Sequence, residues 1–397
     1  MNTLPRDAVV GVVGAGAMGS GIAQVALLHG HRVLLTDVAP AALERGCDAI
    51  RKALAREVEK GRLTGARMDE ALSRLDAIAA GDMVDMAPCQ FVIEAVVERL
   101  DVKLEVMRAL EEAVAPDALL ATNTSSLSIA SIGAACARPE RVVGVHFFNP
   151  AAVMPLVEIV PGVRTSPAVV DWAASLVQGW GKLAVRAKDT PGFIVNRIAR
   201  PYYGEALRIA EEGMATPATI DWAMKTLAGF RMGPFELMDF IGHDVNYAVT
   251  ESVWTAMYFD PRYRPSILQK RLLEAGLLGR KSGAGFFDYS AGAPHDGPNE
   301  DQTLGSRIFM RILTMLINEA VDAVHLQIAT PAAIDLAMTK GVNYPKGLLA
   351  WGDELGWPEV LARMDELRTL YSEERYRASP LMRRCRSRAS GSSNERL

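Results

Sequence analysis

His146 lies near the end of an apolar run, Val142-Val143-Gly144-Val145-His146-Phe147-Phe148. Glu158 sits inside the next such run, Leu156-Val157-Glu158-Ile159-Val160. If the two runs are neighbouring strands, the carboxylate bonds one ring nitrogen and leaves the other facing outward. An imidazole partnered in this way takes a proton from an alcohol near neutral pH. The spacing equally admits a hydrogen-bonded core histidine beside an unrelated glutamate. In favour of chemistry, His146 falls at the carboxyl end of its expected strand, where doubly wound folds place their ligands.

A second group of residues suits phosphate chemistry. The apolar run Val9-Val10-Gly11-Val12-Val13 breaks into Gly14-Ala15-Gly16-Ala17-Met18-Gly19, and a helical pattern follows from Ser20 to Leu28. In a strand, turn and helix of this kind the first glycine permits the tight turn. The second lets the backbone approach a pyrophosphate, and the third lets helix pack on strand. The helix N-terminus adds free N–H groups and a partial positive charge. A further run, Arg32 to Thr36, ends in Asp37. An acid there accepts from both ribose hydroxyls and repels a 2′-phosphate, so the expected cofactor is NAD and not NADP.

The bulk properties narrow the class. The chain has 397 residues, enough for two or three domains, with 49% hydrophobic and 23% charged residues. A net charge of −4 gives no reason to expect nucleic acid as a partner. Cys47, Cys89, Cys136 and Cys385 are scattered, which argues against a zinc site and a disulfide framework and fits a reducing cytoplasm. No metal is expected. No signal peptide and no membrane span is visible.

The elements that must hold these residues alternate. Helix is expected over 41–60, carrying Arg45, Arg51, Lys52, Arg56 and Lys60, a basic face for a phosphorylated ligand or a solvated surface balanced by Glu44, Glu57 and Glu59. Residues 63–78 read as helix and turn. Strands are expected at 91–96, 118–122, 142–148, 156–160 and 183–185, with helices at 102–114 and 167–179 between them. The fold class is therefore α/β, a Rossmann-type doubly wound, largely parallel sheet with room for an antiparallel edge. At Asp189-Thr190-Pro191-Gly192 the pattern changes, and helices at 193–212 and 217–228 follow with almost no strand candidates.

An internal repeat organises the remainder. Ala215-Thr216-Pro217-Ala218-Thr219-Ile220-Asp221-Trp222-Ala223-Met224 returns 114 positions later as Ala329-Thr330-Pro331-Ala332-Ala333-Ile334-Asp335-Leu336-Ala337-Met338. Glu205-Ala206 returns as Glu319-Ala320, and Arg262-Tyr263-Arg264 as Arg375-Tyr376-Arg377. The expected organisation is a sheet domain over 1–188, tandem all-α domains over 189–288 and 302–386, a linker over 289–301 and a disordered tail over 387–397. The second helical copy is expected to pack on the first as an internal pseudo-dimer; a conventional homodimer is the alternative.

Six motifs in order extend this reading. They are Gly14-x-Gly16-x-Met18-Gly19-Ser20-Gly21-Ile22-Ala23-Gln24, Asn123-Thr124-Ser125-Ser126-Leu127, His146-Phe147-Phe148-Asn149-Pro150, Asp189-Thr190-Pro191-Gly192-Phe193-Ile194-Val195-Asn196-Arg197, Gly233-Pro234-Phe235-Glu236-Leu237 and Gly279-Arg280-Lys281-Ser282-Gly283-x-Gly285-Phe286. Together they resemble the L-3-hydroxyacyl-CoA dehydrogenase family. The segments Gly341 to Gly347 and Arg375 to Arg377 are similar to its longer bacterial members, including 3-hydroxyadipyl-CoA dehydrogenases, although this chain is shorter between residues 288 and 302.

The resemblance implies NAD-dependent oxidation of a 3-hydroxyacyl-CoA. It makes His146 the general base, Glu158 its orienting acid, Asn196 a contact near the reacting oxygen and Ser125 a contact to substrate and nicotinamide. It puts Glu98, Lys103, Asn149 and Lys281 at the NAD site and Lys60 on the CoA phosphate. From residue pattern alone, Glu98 and Lys103 read as a surface pair at a helix start, and Ser125 as the cap of a helix beginning at Leu127. Two other functions stay open. One is a dehydrogenase of a free hydroxy acid such as gulonate, since crystallin-like relatives share these motifs. The other is a non-catalytic NAD-binding protein, against which the set Ser125, His146, Glu158 and Asn196 argues.

Overall fold

The structure is a computed structural model that describes residues 4–5, 7–79, 83–293 and 297–388, with side chains described as far as residue 384. It forms two compact units, residues 1–193 and 194–397.

The first unit is a single eight-stranded sheet with helices between its strands. The strands are β1 (Val9–Val13), β2 (Arg32–Thr36), β3 (Leu75–Ile78), β4 (Phe91–Glu94), β5 (Leu119–Thr122), β6 (Val142–Phe147), β7 (Leu156–Pro161) and β8 (Leu183–Arg186). Their order is β3-β2-β1-β4-β5-β6-β7-β8. From β3 to β6 every pairing is parallel, whereas β7 runs antiparallel to β6 and carries β8 parallel to itself. The sheet is thus the expected doubly wound one, with a reversed two-strand edge. Its helices are α1 (Ala17–Leu28), α2 (Pro40–Glu59), α3 (Gly65–Leu72), α4 (Leu100–Ala113), α5 (Ile129–Gly133) and α6 (Pro167–Gly179).

Strand β1 runs between β2 and β4, so the chain leaves it first to one side and later to the other. That reversal opens a crevice at the carboxyl ends of β1 and β4. The strands there are buried on both faces, which is why they read as unbroken apolar runs. Strand β3 escaped the sequence reading. It is a four-residue edge strand paired only with β2, and its residues are largely half-buried, so it carries no apolar run.

The second unit is helical: α7 (Val195–Ile198), α8 (Arg200–Glu211), α9 (Pro217–Trp222), α10 (Pro234–Ile241), α11 (His243–Ala256), α12 (Ile267–Glu274), α13 (Gln302–His325), α14 (Pro331–Gly341), α15 (Leu348–Leu355), α16 (Trp357–Tyr371) and α17 (Pro380–Arg388). The expected single helix over 193–212 is in fact α7 and α8, parted at Ala199. Pro201 supplies no backbone N–H and crowds the preceding turn, which divides the helix. Beyond α9 the chain widens into a π turn over Ala223–Leu227.

The repeat is visible in the helices. α10 and α15 both begin where an aspartate of the preceding α-helix takes two N–H groups: Asp221 accepts from Phe235 and Glu236, and Asp335 from Leu349 and Ala350. α17 continues through residue 388, two residues into the expected tail. The rest of that tail, and residues 294–296 of the expected linker, lie outside the described residues.

The two helical stretches exchange buried polar contacts reciprocally. Arg197 Nε donates to Glu319 at 2.6 Å, and Arg311 Nε donates to Glu205 at 2.8 Å. The Tyr263 hydroxyl donates to Glu319 at 2.5 Å, and that of Tyr376 to Glu205 at 3.0 Å. Phe230 and its repeat partner Tyr344 meet edge to face, 4.9 Å between centroids. When residue i of one copy meets j of the other and j meets i, the contact is that of a two-fold interface. Among the described residues, no helix is long and apolar enough to cross a membrane.

Candidate active site

The loop from β1 to α1 is shaped by its glycines. Gly14 has φ of +101°, and a Cβ there would stand 2.6 Å from the Ala95 carbonyl oxygen at the end of β4. A Cβ on Gly19 would stand 1.7 Å from the Gly14 carbonyl oxygen, while one on Gly16 would meet nothing within 4 Å. Two glycines therefore let strand, loop and helix close, and the third keeps the space above the loop clear. α1 has no side-chain cap at Gly16, which leaves the N–H groups of its first turn, from Ala17 and Met18, for an anion. Asp37, just past β2, accepts the N–H of Ala15 at 2.8 Å and that of Ala39 at 3.0 Å. The clear space, the uncapped helix and the tethered acid fit the pyrophosphate and ribose of a dinucleotide.

Next to this loop lies a polar cluster built on Glu98. One oxygen of Glu98 accepts from the Thr124 hydroxyl at 2.7 Å and from Ser125 N at 2.8 Å. It also accepts from the Ser125 hydroxyl, Ser126 N and the Ser126 hydroxyl, each at 3.1 Å. Its other oxygen is 3.3 Å from Lys103 Nζ. Burial opposes ionisation of Glu98, but Lys103 and these donors outweigh it and hold the carboxyl below its usual range.

The surface-pair reading of Glu98 and Lys103 is corrected here. Lys103 is 1% exposed, and its ammonium sits 3.0 and 2.9 Å from the two oxygens of the wholly buried Glu94. A buried ammonium needs such a partner, and Glu94 is the residue that sequence reasoning missed. The signal was present: Glu94 is the one charge in an apolar strand. The capping role of Ser125 is also corrected. α5 starts at Ile129, and Ser128 caps it by accepting from Ser131 N.

Strands β6 and β7 pair with His146 directly opposite Glu158. Residues opposite one another on antiparallel strands project from the same face, and here the ring and carboxylate meet, His146 Nδ1 to Glu158 Oε2, at 2.7 Å. His146 is 5% exposed and Glu158 wholly buried. The ring packs against Phe148 at 4.6 Å and Phe193 at 5.9 Å between centroids. Nε2 has no hydrogen-bond partner among the described residues. With Nδ1–H donated to the carboxylate, Nε2 is the basic nitrogen.

The other expected site residues lie on other elements. Asn149 follows β6 and is exposed. Lys60 is exposed at the C-terminus of α2. Asn196 and Lys281 belong to the second unit, Asn196 in α7 and Lys281 with its ammonium 2.5 Å from Asp244.

A glycine loop, a tethered acid and a buried imidazole–carboxylate pair at the same end of one doubly wound sheet fit a nicotinamide-dependent oxidoreductase. Comparison with known proteins gives the family. The NAD-binding domain of 3-hydroxyacyl-CoA dehydrogenase matches residues 9–190, and the C-terminal domain of the same enzyme matches residues 192–289 and 308–392. The chain belongs to the NAD-dependent 3-hydroxyacyl-CoA dehydrogenase family.

It is 40% identical to the 3-hydroxyadipyl-CoA dehydrogenase of Escherichia coli K12 over 94% of this chain and 96% of that one. It is 42% identical to a 3-hydroxybutyryl-CoA dehydrogenase of Bradyrhizobium diazoefficiens, over 72% of this chain and 96% of the relative. Among solved structures, a 3-hydroxybutyryl-CoA dehydrogenase of Escherichia coli K12 superposes with a TM-score of 0.90 at 38% identity, covering 98% of this chain and all of that one.

Proposed function

We propose that the chain oxidises the 3-hydroxyl of an L-3-hydroxyacyl-CoA to the 3-oxo group, and catalyses the reverse reduction, with His146 as the proton acceptor and donor. The in-register His146–Glu158 pair at 2.7 Å carries this reading. Bound NAD would supply the acceptor for the hydride that leaves C3. The Nε2 atom of His146 takes the hydroxyl proton, so that C3 and its oxygen are left as a carbonyl. The Glu158 carboxylate fixes the ring's tautomer and stabilises the imidazolium formed. Around them, Glu98 holds the Ser125 hydroxyl for the cofactor and substrate, with Lys103 behind it. Asn196 is a second substrate contact, Asn149 and Lys281 are cofactor contacts, and Lys60 is a contact for CoA phosphate.

The test is reduction of acetoacetyl-CoA followed by loss of NADH absorbance, alongside a free 3-oxo acid. Turnover of the CoA ester alone, lost in His146→Ala with NAD binding kept, is expected. Turnover of the free acid alone would transfer the reading to a hydroxy-acid dehydrogenase. Full activity of His146→Ala would end the mechanism.

The reciprocal contacts between the helical stretches support an internal pseudo-dimer in place of a homodimer, and light scattering is expected to give the mass of one chain. The buried free thiols of Cys47, Cys89 and Cys136 support a reducing compartment, the cytoplasm.

A further inference from the structure

The two reciprocal clamps of the helical unit are not equivalent, and the difference falls beside Asn196. α7 is only four residues long and follows two positive-φ residues, Gly192 at +76° and Phe193 at +47°. So short a helix has no stability of its own and takes its place from what it is tied to. Its one charged side chain, Arg197, is 2% exposed and turns to the second helical stretch, where it meets Glu319 at 2.6 Å and Asp322 at 3.3 Å.

The mirror position of Asn196 is Met310, inside the unbroken 24-residue helix α13. The neighbouring arginine is kept there all the same, and Arg311 still pairs with Glu205. What changes is where the second carboxylate comes from. Arg311 takes Glu212 at 2.7 Å, whose repeat position is Leu326, whereas Arg197 takes Asp322, which stands where the first copy has Arg208, itself paired with Glu205 at 3.1 Å within its own helix. Asp322 also holds Arg262 at 2.9 Å, so two carboxylates face two guanidiniums on the Asn196 side.

We infer that Glu319 and Asp322 are positioning residues for Asn196: the copy that lacks the asparagine supplies the anchor that holds it in place. The inference rests on the reading of Asn196 as a substrate contact. It gives the second helical copy a part in turnover although it carries no reacting group.

The twofold relation provides a control at least as severe. Tyr263→Phe removes the hydrogen bond to Glu319, and Tyr376→Phe removes the mirror bond to Glu205 together with one accepted from Arg311 at 2.8 Å. The full chain is assayed with acetoacetyl-CoA and NADH, with melting temperature and NADH affinity measured in parallel. Tyr263→Phe and Asp322→Asn are expected to lower kcat about tenfold with NADH affinity unchanged, since small displacements of a positioning group cost rate and not cofactor binding. Tyr376→Phe is expected to lower the melting temperature similarly and keep kcat within about twofold. Glu319→Asp, which keeps the charge, is expected to recover part of the rate that Glu319→Gln loses.

Equal kcat losses in the two tyrosine variants, or wild-type kcat in Tyr263→Phe and Asp322→Asn, overturn the positioning role. Asn196→Ala separates the two levels. If it turns over at the wild-type rate, the reading of Asn196 fails. If it is slow while the mirror variants behave alike, only the anchor fails.

Discussion

Among the described residues there are two buried histidine–carboxylate pairs, one in each unit, and they differ in what is left over. His243 Nε2 lies 2.8 Å from Asp239, and both residues are wholly buried. The other ring nitrogen of His243 faces Gln269 at 3.3 Å. Asp239 also accepts from Phe286 N, Phe287 N and the Tyr289 hydroxyl at 2.9 to 3.0 Å. Every polar valence there is taken up in joining α10, α11 and the loop at 286–289. His146 makes the same kind of bond to Glu158 but keeps Nε2 uncommitted, at the sheet end that also carries the phosphate loop. A histidine beside an acid is therefore not a site by composition. An uncommitted nitrogen is what a base needs and what a purely structural histidine lacks.

That contrast is open to attack at several points. The largest effect is expected from His146→Ala, a loss of about 10³- to 10⁴-fold in kcat with NAD affinity retained. Glu158→Gln keeps the shape but accepts no charge, and a drop of about 10²-fold or more is expected from the wrong tautomer and an unsupported imidazolium. Stopped-flow measurement of the chemical step checks both. His243→Leu reverses the pattern. It leaves a buried carboxylate one donor short and is expected to cost about 1–3 kcal/mol in denaturant titration, with kcat within about twofold of wild type. A large kcat loss in His243→Leu at normal stability would erase the distinction between the two pairs.

The smallest effect is expected at Glu98. Its carboxyl is held below the free value of 4.5, so its contribution to folding is complete above that value and fades as pH falls through the lower folded one. The difference in melting temperature between wild type and Glu98→Gln is expected to be constant above about pH 4.5 and to shrink below it. A difference that grows on acidification would show that the carboxylate is not the form that Lys103 and the serine loop hold.

Much of the candidate site was legible in residue order. Gly14, Gly16, Gly19 and Asp37 stand on consecutive elements, so their relation is set by a single strand–turn–helix–strand passage. The repeat was legible for a similar reason: equal spacing along the chain carries over into equal helices. Lys103 was misread because its partner is on another element. A lysine near a helix start is solvated by default, and only the sheet brings Glu94 beneath it. β3 was missed because a short edge strand with one neighbour shows no apolar run.

Residue order determined that this chain binds a dinucleotide, that it duplicates a helical unit and that a histidine and a glutamate lie on successive strands. Only the fold decided that those strands run antiparallel with residues 146 and 158 face to face, since pairing direction and register depend on what closes around the strands. It also decided that the acids of one helical copy grip the arginines of the other, because burial makes an unpaired charge costly and contact partners far apart in the chain are chosen by packing.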